Sequence, residues 1–327
     1  MTIPLHLVKG AIVERILNDA PLEVIRRVSS AYSAHHRGQT EIPPSLFLRY
    51  PGSVSARTIA LPAYISADTS IAGMKWISSN PGNHDVGLPR ASGVIVLNDT
   101  TTGFPICVLE GSRISAARTA ASAALAVQLL AVGVGRTLGV IGSGLIAAAI
   151  CHYLHESNQL PPRLLIYDRD ASRAAAFAKN AADRYGVQSE VSDMTTTLDC
   201  DLVSLATTAS RPHLPSSHEF RPGQLILNIS LRDIQPRSIV ASNNILDDVE
   251  HCLKESTSPH LAEQMTGTRD FITGTIGEAL DRPIDFDRGR AVIFSPFGLG
   301  VLDVFLAHWI FETAMQEDLA VKIDNFF

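Results

Sequence analysis

The chain has 327 residues, 46% of them hydrophobic and 18% charged, with a formal net charge of −6. That length can bury a sizeable core without disulfide or metal staples, and it suits two domains or one large one. The charge balance excludes the global basic signature of a nucleic-acid binder, and no uninterrupted apolar run of about 18 residues predicts a transmembrane helix.

The amino-terminal stretch lacks the cationic region and long apolar core of a signal peptide, so the expected compartment is the cytoplasm. Cys107, Cys151, Cys200 and Cys252 lie far apart with no C-x-x-C pair. They read as free, buried or half-buried thiols rather than as a zinc or redox site.

The first helical segment, IVERILNDAPLEVIRRVSSAYSAHHRGQT, spaces Ile12, Ile16, Leu22, Ile25 and Val28 at helical intervals, and Pro21 marks the start of a second helix. His35 and His36 are neighbours there, do not face one ion, and read as surface residues. The β-like runs PSLFLRY, RTIALPAYI, IAGMKWIS, ASGVIVLND and PICVLEG follow, separated by turns such as YPGS and NDTTTGFP. They predict a helix-flanked sheet of mixed or antiparallel strands. SRISAARTAASAALAVQLLA is then a long alanine-rich helix.

After Gly135 the rhythm changes to strands alternating with helices. TLGVIGSG, RLLIYDRD, CDLVSLATTAS, GQLILNIS and NNILDDVE read as strands; LIAAAICHYLHE and ASRAAAFAKNAADRYG read as helices. Continuous apolar strands between helices predict a parallel sheet covered on both faces. AVIFSPFGLGVLDVFLAHWIFETAMQEDL closes the pattern as strand, turn and long helix. The fold class expected is α/β: a Rossmann-type doubly wound parallel sheet plus an α+β domain.

GVIGSGLIA matches G-x-G-x-x-A at Gly142, Gly144 and Ala147, after a strand and before a helix. Gly142 permits the turn, Gly144 lets a pyrophosphate approach the backbone, and Ala147 lets helix and strand pack closely. The helix start at Leu145 and Ile146 presents free N–H groups and a partial positive charge to the phosphates. Asp168 ends the next strand at about the spacing of the ribose-binding acid, which favours NAD over NADP, although Arg169 beside it could host a phosphate. Thr207 and Ser230 complete the cofactor contacts expected from this half.

Arg49, Lys75 and Arg118 are the cations of interest in the first third. Lys75 lies in an apolar run, as a solvent-pointing edge residue or as a working ammonium. Arg118 lies in a helix of small apolar residues, where a buried guanidinium needs a partner; a substrate carboxylate held bidentately is one candidate. Asp233 follows an apolar strand at the end that faces the ligand crevice of an open α/β sheet. There it could hold or deprotonate an amine or a water, or simply serve a turn. His84 is a polar candidate in a loop between strands.

Together these residues resemble the ornithine cyclodeaminase/μ-crystallin family. GMKWI, RASGVIVLND, ICVLEGSRISAARTAA, GVIGSGLIA and SPFGLGVLD fall in that family's order over nearly the whole chain. The run from MKWISSNPGN to RASGVIVLND looks closer still to the dehydrogenases of 2,3-diaminopropionate biosynthesis, which serve siderophore and other secondary metabolism. The resemblance implies a homodimer. It assigns residues 1–118 with 305–327 to substrate binding and dimerisation, and residues 119–304 to a Rossmann domain holding NAD.

It further implies that Arg49, Lys75 and Arg118 bind the substrate carboxylate, with Lys75 also catalytic, and that Asp233 is the catalytic aspartate. Thr119 and the SPFGLGVLD loop, with Gly298 and Asp303, are placed near the nicotinamide. Ornithine cyclodeaminases carry a glutamate near Ile59, which helps place the distal amine; this chain has Arg57 two residues earlier, better suited to a second carboxylate. The expected reaction is therefore NAD-dependent oxidative cleavage of N-(2-amino-2-carboxyethyl)-L-glutamate to 2,3-diaminopropionate and 2-oxoglutarate. The alternatives are an ornithine or lysine cyclodeaminase, an imine or alanine-type amino acid dehydrogenase, and a non-catalytic μ-crystallin-like binding protein.

Overall fold

A computed structural model describes residues 3–52, 56–131 and 135–327; the side chain of His84, and with it that candidate, lies outside the described part. The chain divides into two compact units, Met1–Arg118 with Leu299–Phe327, and Thr119–Gly298.

The first unit holds β1 (Leu5–Val8), α1 (Gly10–Asp19), α2 (Pro21–His36), β2 (Thr40–Glu41), β3 (Leu46–Arg49), β4 (Arg57–Ser66), β5 (Ser70–Ser79), β6 (Ala91–Asn98) and β7 (Pro105–Glu110). The helix α3 (Ser112–Leu130) then carries the chain across the unit boundary at Arg118. Pro21 sits at the amino-terminal start of α2, where its missing N–H costs nothing.

The second unit holds β8 (Thr137–Ile141), α4 (Leu145–Glu156), β9 (Arg163–Tyr167), α5 (Ala171–Tyr185), β10 (Gln188–Val191), α6 (Met194–Leu198), β11 (Leu202–Leu205), β12 (Leu225–Asn228) and α7 (Pro236–Val240). It continues with β13 (Asn243–Leu246), α8 (Val249–Cys252), α9 (Ser258–Thr266), β14 (Ile272–Thr275), α10 (Ile276–Asp281) and β15 (Val292–Ser295). Finally α11 (Gly300–Gln316) and β16 (Val321–Ile323) return to the first unit. The resemblance put this return at residue 305; it falls at Leu299, because α11 packs as one body and a cut at 305 would divide it.

The first sheet runs β16-β1-β7-β6-β5-β4-β2, with β3 also on β4. Among the described residues only the β1–β7 pair is parallel, so the sheet is mixed, as expected. α11 covers β4, β5 and β6. Its first residues, Gly300–Ala307, are all buried, which fits their apolar composition apart from Asp303. A Cβ on Gly300 would lie 3.0 Å from the Leu61 carbonyl oxygen, so the helix start sits close on β4. Strand alternation puts Leu61, Lys75, Ile95 and Leu109 on the covered face, and all four are buried. The opposite face carries Leu46, Leu48, Trp76 and Val94, which remain exposed.

The second sheet runs β10-β9-β8-β11-β12-β15-β13-β14 and is parallel throughout. The chain winds outward from β8 to β10, then returns to the other side of β8 with β11: the doubly wound arrangement expected. Strands β11, β12, β13 and β15 are buried at every residue, as a sheet covered on both faces requires. The order reverses between β8 and β11, and ligands of such sheets bind outside the carboxyl ends of the strands at that point.

Candidate active site

In the first unit, Lys75 lies mid-strand on β5, flanked by β4 and β6, so it is no edge residue. Its side chain is 2% exposed, and Nζ donates to Asp303 Oδ2 at 2.5 Å and to Ser115 Oγ at 3.1 Å. Arg118 Nε donates to Asp303 Oδ1 at 3.3 Å. The buried guanidinium thus finds its partner within the protein. Asp303 is fully buried in the first turn of α11, where the helix dipole favours a carboxylate. The resemblance grouped Asp303 with the loop beside the nicotinamide; in the structure its carboxylate binds Lys75 and Arg118.

Two cations meet one carboxylate here. Burial pushes the Lys75 ammonium down to about 8; the Asp303 charge opposes that shift and the Arg118 charge adds to it.

Arg49 and Arg57 face each other in the β3–β4 register, at the strand ends. Arg49 is exposed, with Cζ 5.7 Å from the centre of the Phe47 ring; Arg57 is half-buried. By strand alternation both lie on the Lys75 face of the sheet.

In the second unit, the turn after β8 has the geometry a dinucleotide needs. Gly142 has φ +89°, and a Cβ there would lie 2.7 Å from the Ala206 carbonyl oxygen. A Cβ on Gly144 would meet nothing within 4 Å, so open space lies over the backbone where α4 begins. No side chain caps α4, which leaves the N–H groups of Leu145 and Ile146 available to an anion. Ala147 is 1% exposed beneath the turn. These residues fit a bound pyrophosphate.

Asp168, at the end of β9, accepts from Ser143 N at 2.8 Å and Ser143 Oγ at 2.7 Å. Burial raises its carboxyl, but the Ser143 hydrogen bonds and the Asp170 N–H outweigh that and hold it below the usual range. Arg169 beside it is exposed. Thr119, in α3, is half-buried.

Asp233 is fully buried, and the partners of its carboxylate are side chains. Thr207 Oγ1 donates at 2.5 Å, His213 Nε2 lies 2.8 Å away, and Ser230 Oγ donates to the other oxygen. Both hydroxyls expected as cofactor contacts, Thr207 and Ser230, are thus directed at Asp233. The loop is fixed from behind: the N–H groups of His213 and Leu214 donate to the Asp233 carbonyl, and Leu231 takes φ +74°. Sequence reasoning missed His213. No local pattern marks it, since its partner is 20 residues away.

Gly298 has φ +95°, and its N–H donates to Asp247 Oδ2 at 2.7 Å. Phe297 N donates to Asp247 Oδ1 at 2.9 Å, so one buried aspartate after β13 holds the SPFGLG loop. Asp247 also was missed, although two aspartates directly after a strand are a usable signal. All four cysteines are free and buried, and burial pushes the Cys107 and Cys151 thiols up to about 12. Among the described residues, no cluster of histidine, cysteine, aspartate or glutamate could hold a metal ion, and no helix is long and apolar enough to cross a membrane.

Fold and clusters together define a Rossmann-type α/β protein with a dinucleotide turn, an ion cluster of Lys75, Arg118 and Asp303, and a buried, hydrogen-bonded Asp233. Residues 11–318 match the ornithine cyclodeaminase/mu-crystallin family, and the chain belongs to that family. An N-((2S)-2-amino-2-carboxyethyl)-L-glutamate dehydrogenase of Staphylococcus aureus is 27% identical over 314 residues, covering 91% of each chain. An alanine dehydrogenase of Archaeoglobus fulgidus is 25% identical over 319 residues, 93% of this chain and 94% of that one. Among solved structures, an archaeal alanine dehydrogenase dimer with bound NAD superposes with a TM-score of 0.88 at 24% identity, over 99% of this chain and 100% of that one.

Proposed function

We propose that the protein is an NAD-dependent oxidoreductase that cleaves the C–N bond of an N-substituted amino acid, with N-(2-amino-2-carboxyethyl)-L-glutamate as substrate. The observation that carries the reading is the Lys75–Arg118–Asp303 cluster, in which an ammonium and a guanidinium converge on one buried carboxylate. It suits an amino acid carboxylate held by ammonium and guanidinium together. The Staphylococcus aureus relative bears the name of this activity, and this chain has Ile59 near the point where a cyclodeaminase carries a glutamate for an amine, with the cation Arg57 two residues earlier.

Gly142, Gly144, Leu145 and Ile146 would hold the pyrophosphate, and Asp168 the ribose hydroxyls, repelling a 2′-phosphate. Thr119, Arg169 and Gly298 complete the contacts assigned to the cofactor. NAD⁺ when bound accepts a hydride from the glutamate Cα.

Lys75 and Arg118 fix the α-carboxylate, and Arg57 or Arg49 receives a second carboxylate. Asp233 takes the proton from the secondary amine as the Cα–N bond becomes an imine, then positions the water that hydrolyses it. His213, 32% exposed, links Asp233 to solvent. The balance is conjugate plus NAD⁺ plus water giving 2-oxoglutarate, 2,3-diaminopropionate, NADH and a proton.

The first unit is assigned to substrate binding and dimerisation. The exposed Leu46, Leu48, Trp76 and Val94 form an apolar sheet face suited to a second copy of the chain. Absorbance at 340 nm with NAD⁺ and the conjugate tests the reading. NADH and 2-oxoglutarate appear together if it holds. No NADH with the conjugate, or ammonia released from ornithine without net NADH, overturns it.

A further inference from the structure

A second group of cations lies on the Lys75 face of the first sheet. Arg57 pairs with Ser79 across β4 and β5, and Ser79 pairs with Ala91 across β5 and β6. The end of β5 is therefore flanked by the starts of β4 and β6. Lys75 and Ser79 are four residues apart on one strand and share a face, and Arg57, opposite Ser79, shares it too. Arg90, just before β6, turns its guanidinium onto the same spot: Nη1 donates to Ser79 Oγ at 2.7 Å.

The two guanidiniums are half-buried and near enough to feel each other. Burial lowers the Arg90 pKa, and the charge of Arg57 lowers it further. No carboxylate of the described residues pairs with either, whereas Arg15, Arg26, Arg113, Arg118, Arg163 and Arg269 all have an acid partner. Two adjacent, partly desolvated like charges are costly without a counter-ion. A guanidinium pair beside a hydroxyl presents a planar array of N–H donors, which matches a carboxylate.

We propose that Arg57, Ser79 and Arg90 form a second carboxylate site, with Arg90 the residue that selects substrates carrying a distal acid. The inference rests on the reading that Lys75 and Arg118 hold the first carboxylate. Lys75 and Ser79 are about 13 Å apart along the strand at roughly 3.3 Å per residue, and their long flanking side chains shorten that interval. The ligand class is a dicarboxylic or tricarboxylic amino acid or keto acid, not a diamine and not a small monocarboxylate.

Calorimetric binding to the NADH-loaded protein tests the site without turnover, with 2-oxoglutarate and pyruvate as probes. The expected result is 2-oxoglutarate bound about 10- to 100-fold more tightly than pyruvate. Arg90→Gln should erase most of that ratio and leave pyruvate within about twofold; Arg90→Lys should restore part of it. Equal affinity for the two acids in the unaltered protein overturns the proposal without any variant. So does an Arg90→Gln protein of unchanged fold that weakens both acids alike or neither. Preserved discrimination with no oxidation of the conjugate would instead overturn the proposed reaction and keep the site.

Discussion

Asp303 and Asp233 are both fully buried aspartates, yet their surroundings differ in kind. Asp303 is held by an ammonium and a guanidinium; Asp233 is held by two hydroxyls and an imidazole. The first is a counter-charge, and removing it would leave two cations facing each other in a dry site. The second is oriented by side chains that carry no permanent charge. Burial alone therefore does not distinguish the two; the charge of their partners does.

The largest effect expected is on Asp233. In Asp233→Asn the shape and most hydrogen-bonding capacity remain, but the proton acceptor is gone. Turnover should fall by about 10²–10⁴-fold, the usual range for a lost general base. Saturating assays of NADH formation measure it, and a loss below tenfold would remove the distinction between the two aspartates.

Asp303→Asn is the converse. It breaks a buried ion cluster and should cost about 3–5 kcal/mol of folding stability. Denaturant unfolding of both variants side by side makes the contrast: Asp303→Asn unfolds far earlier, and Asp233→Asn much less so. Equal destabilisation would mean that both residues are structural.

The pH dependence sharpens the comparison from the cation side. Lys75 titrates at about 8, so its ammonium is present below that pH and lost above it. On the proposal that this ammonium holds the carboxylate, kcat/KM should fall about tenfold from pH 7 to pH 9, through binding. Lys75→Arg, charged throughout that range, should flatten the limb even if its affinity is lower. A limb that survives the substitution belongs to another group.

These contrasts explain what was legible in the sequence. The glycine turn is local: Gly142, Gly144, Ala147 and the flanking strand and helix follow one another, and backbone geometry dictates their order. The continuous apolar strands were legible for the same reason, because burial on both faces needs no long-range information. Lys75 could be seen but not decided, since edge or centre depends on the order β6-β5-β4, which lies outside the local pattern. The pairing of Lys75 with Asp303 closes over 228 residues, and nothing near either residue announces the other. Arg90 was overlooked because its meaning comes from the register that sets Ser79 beside Arg57.

The smallest effects discriminate through which constant they move. Each cluster contains a hydroxyl that touches its charged groups: Thr207 donates to Asp233, and Ser115 accepts from Lys75. Thr207→Val removes a donor that orients the carboxylate while roughly keeping the side-chain shape, so it should lower kcat about threefold to tenfold and leave KM nearly unchanged. Ser115→Ala removes an acceptor that helps position the ammonium, so it should raise KM by a similar factor and spare kcat. The split depends on Asp233 acting in the chemical step and Lys75 acting in binding. If both variants moved the same constant, the two buried aspartates would serve one shared task, and the assignment of acid–base work to Asp233 alone would fail.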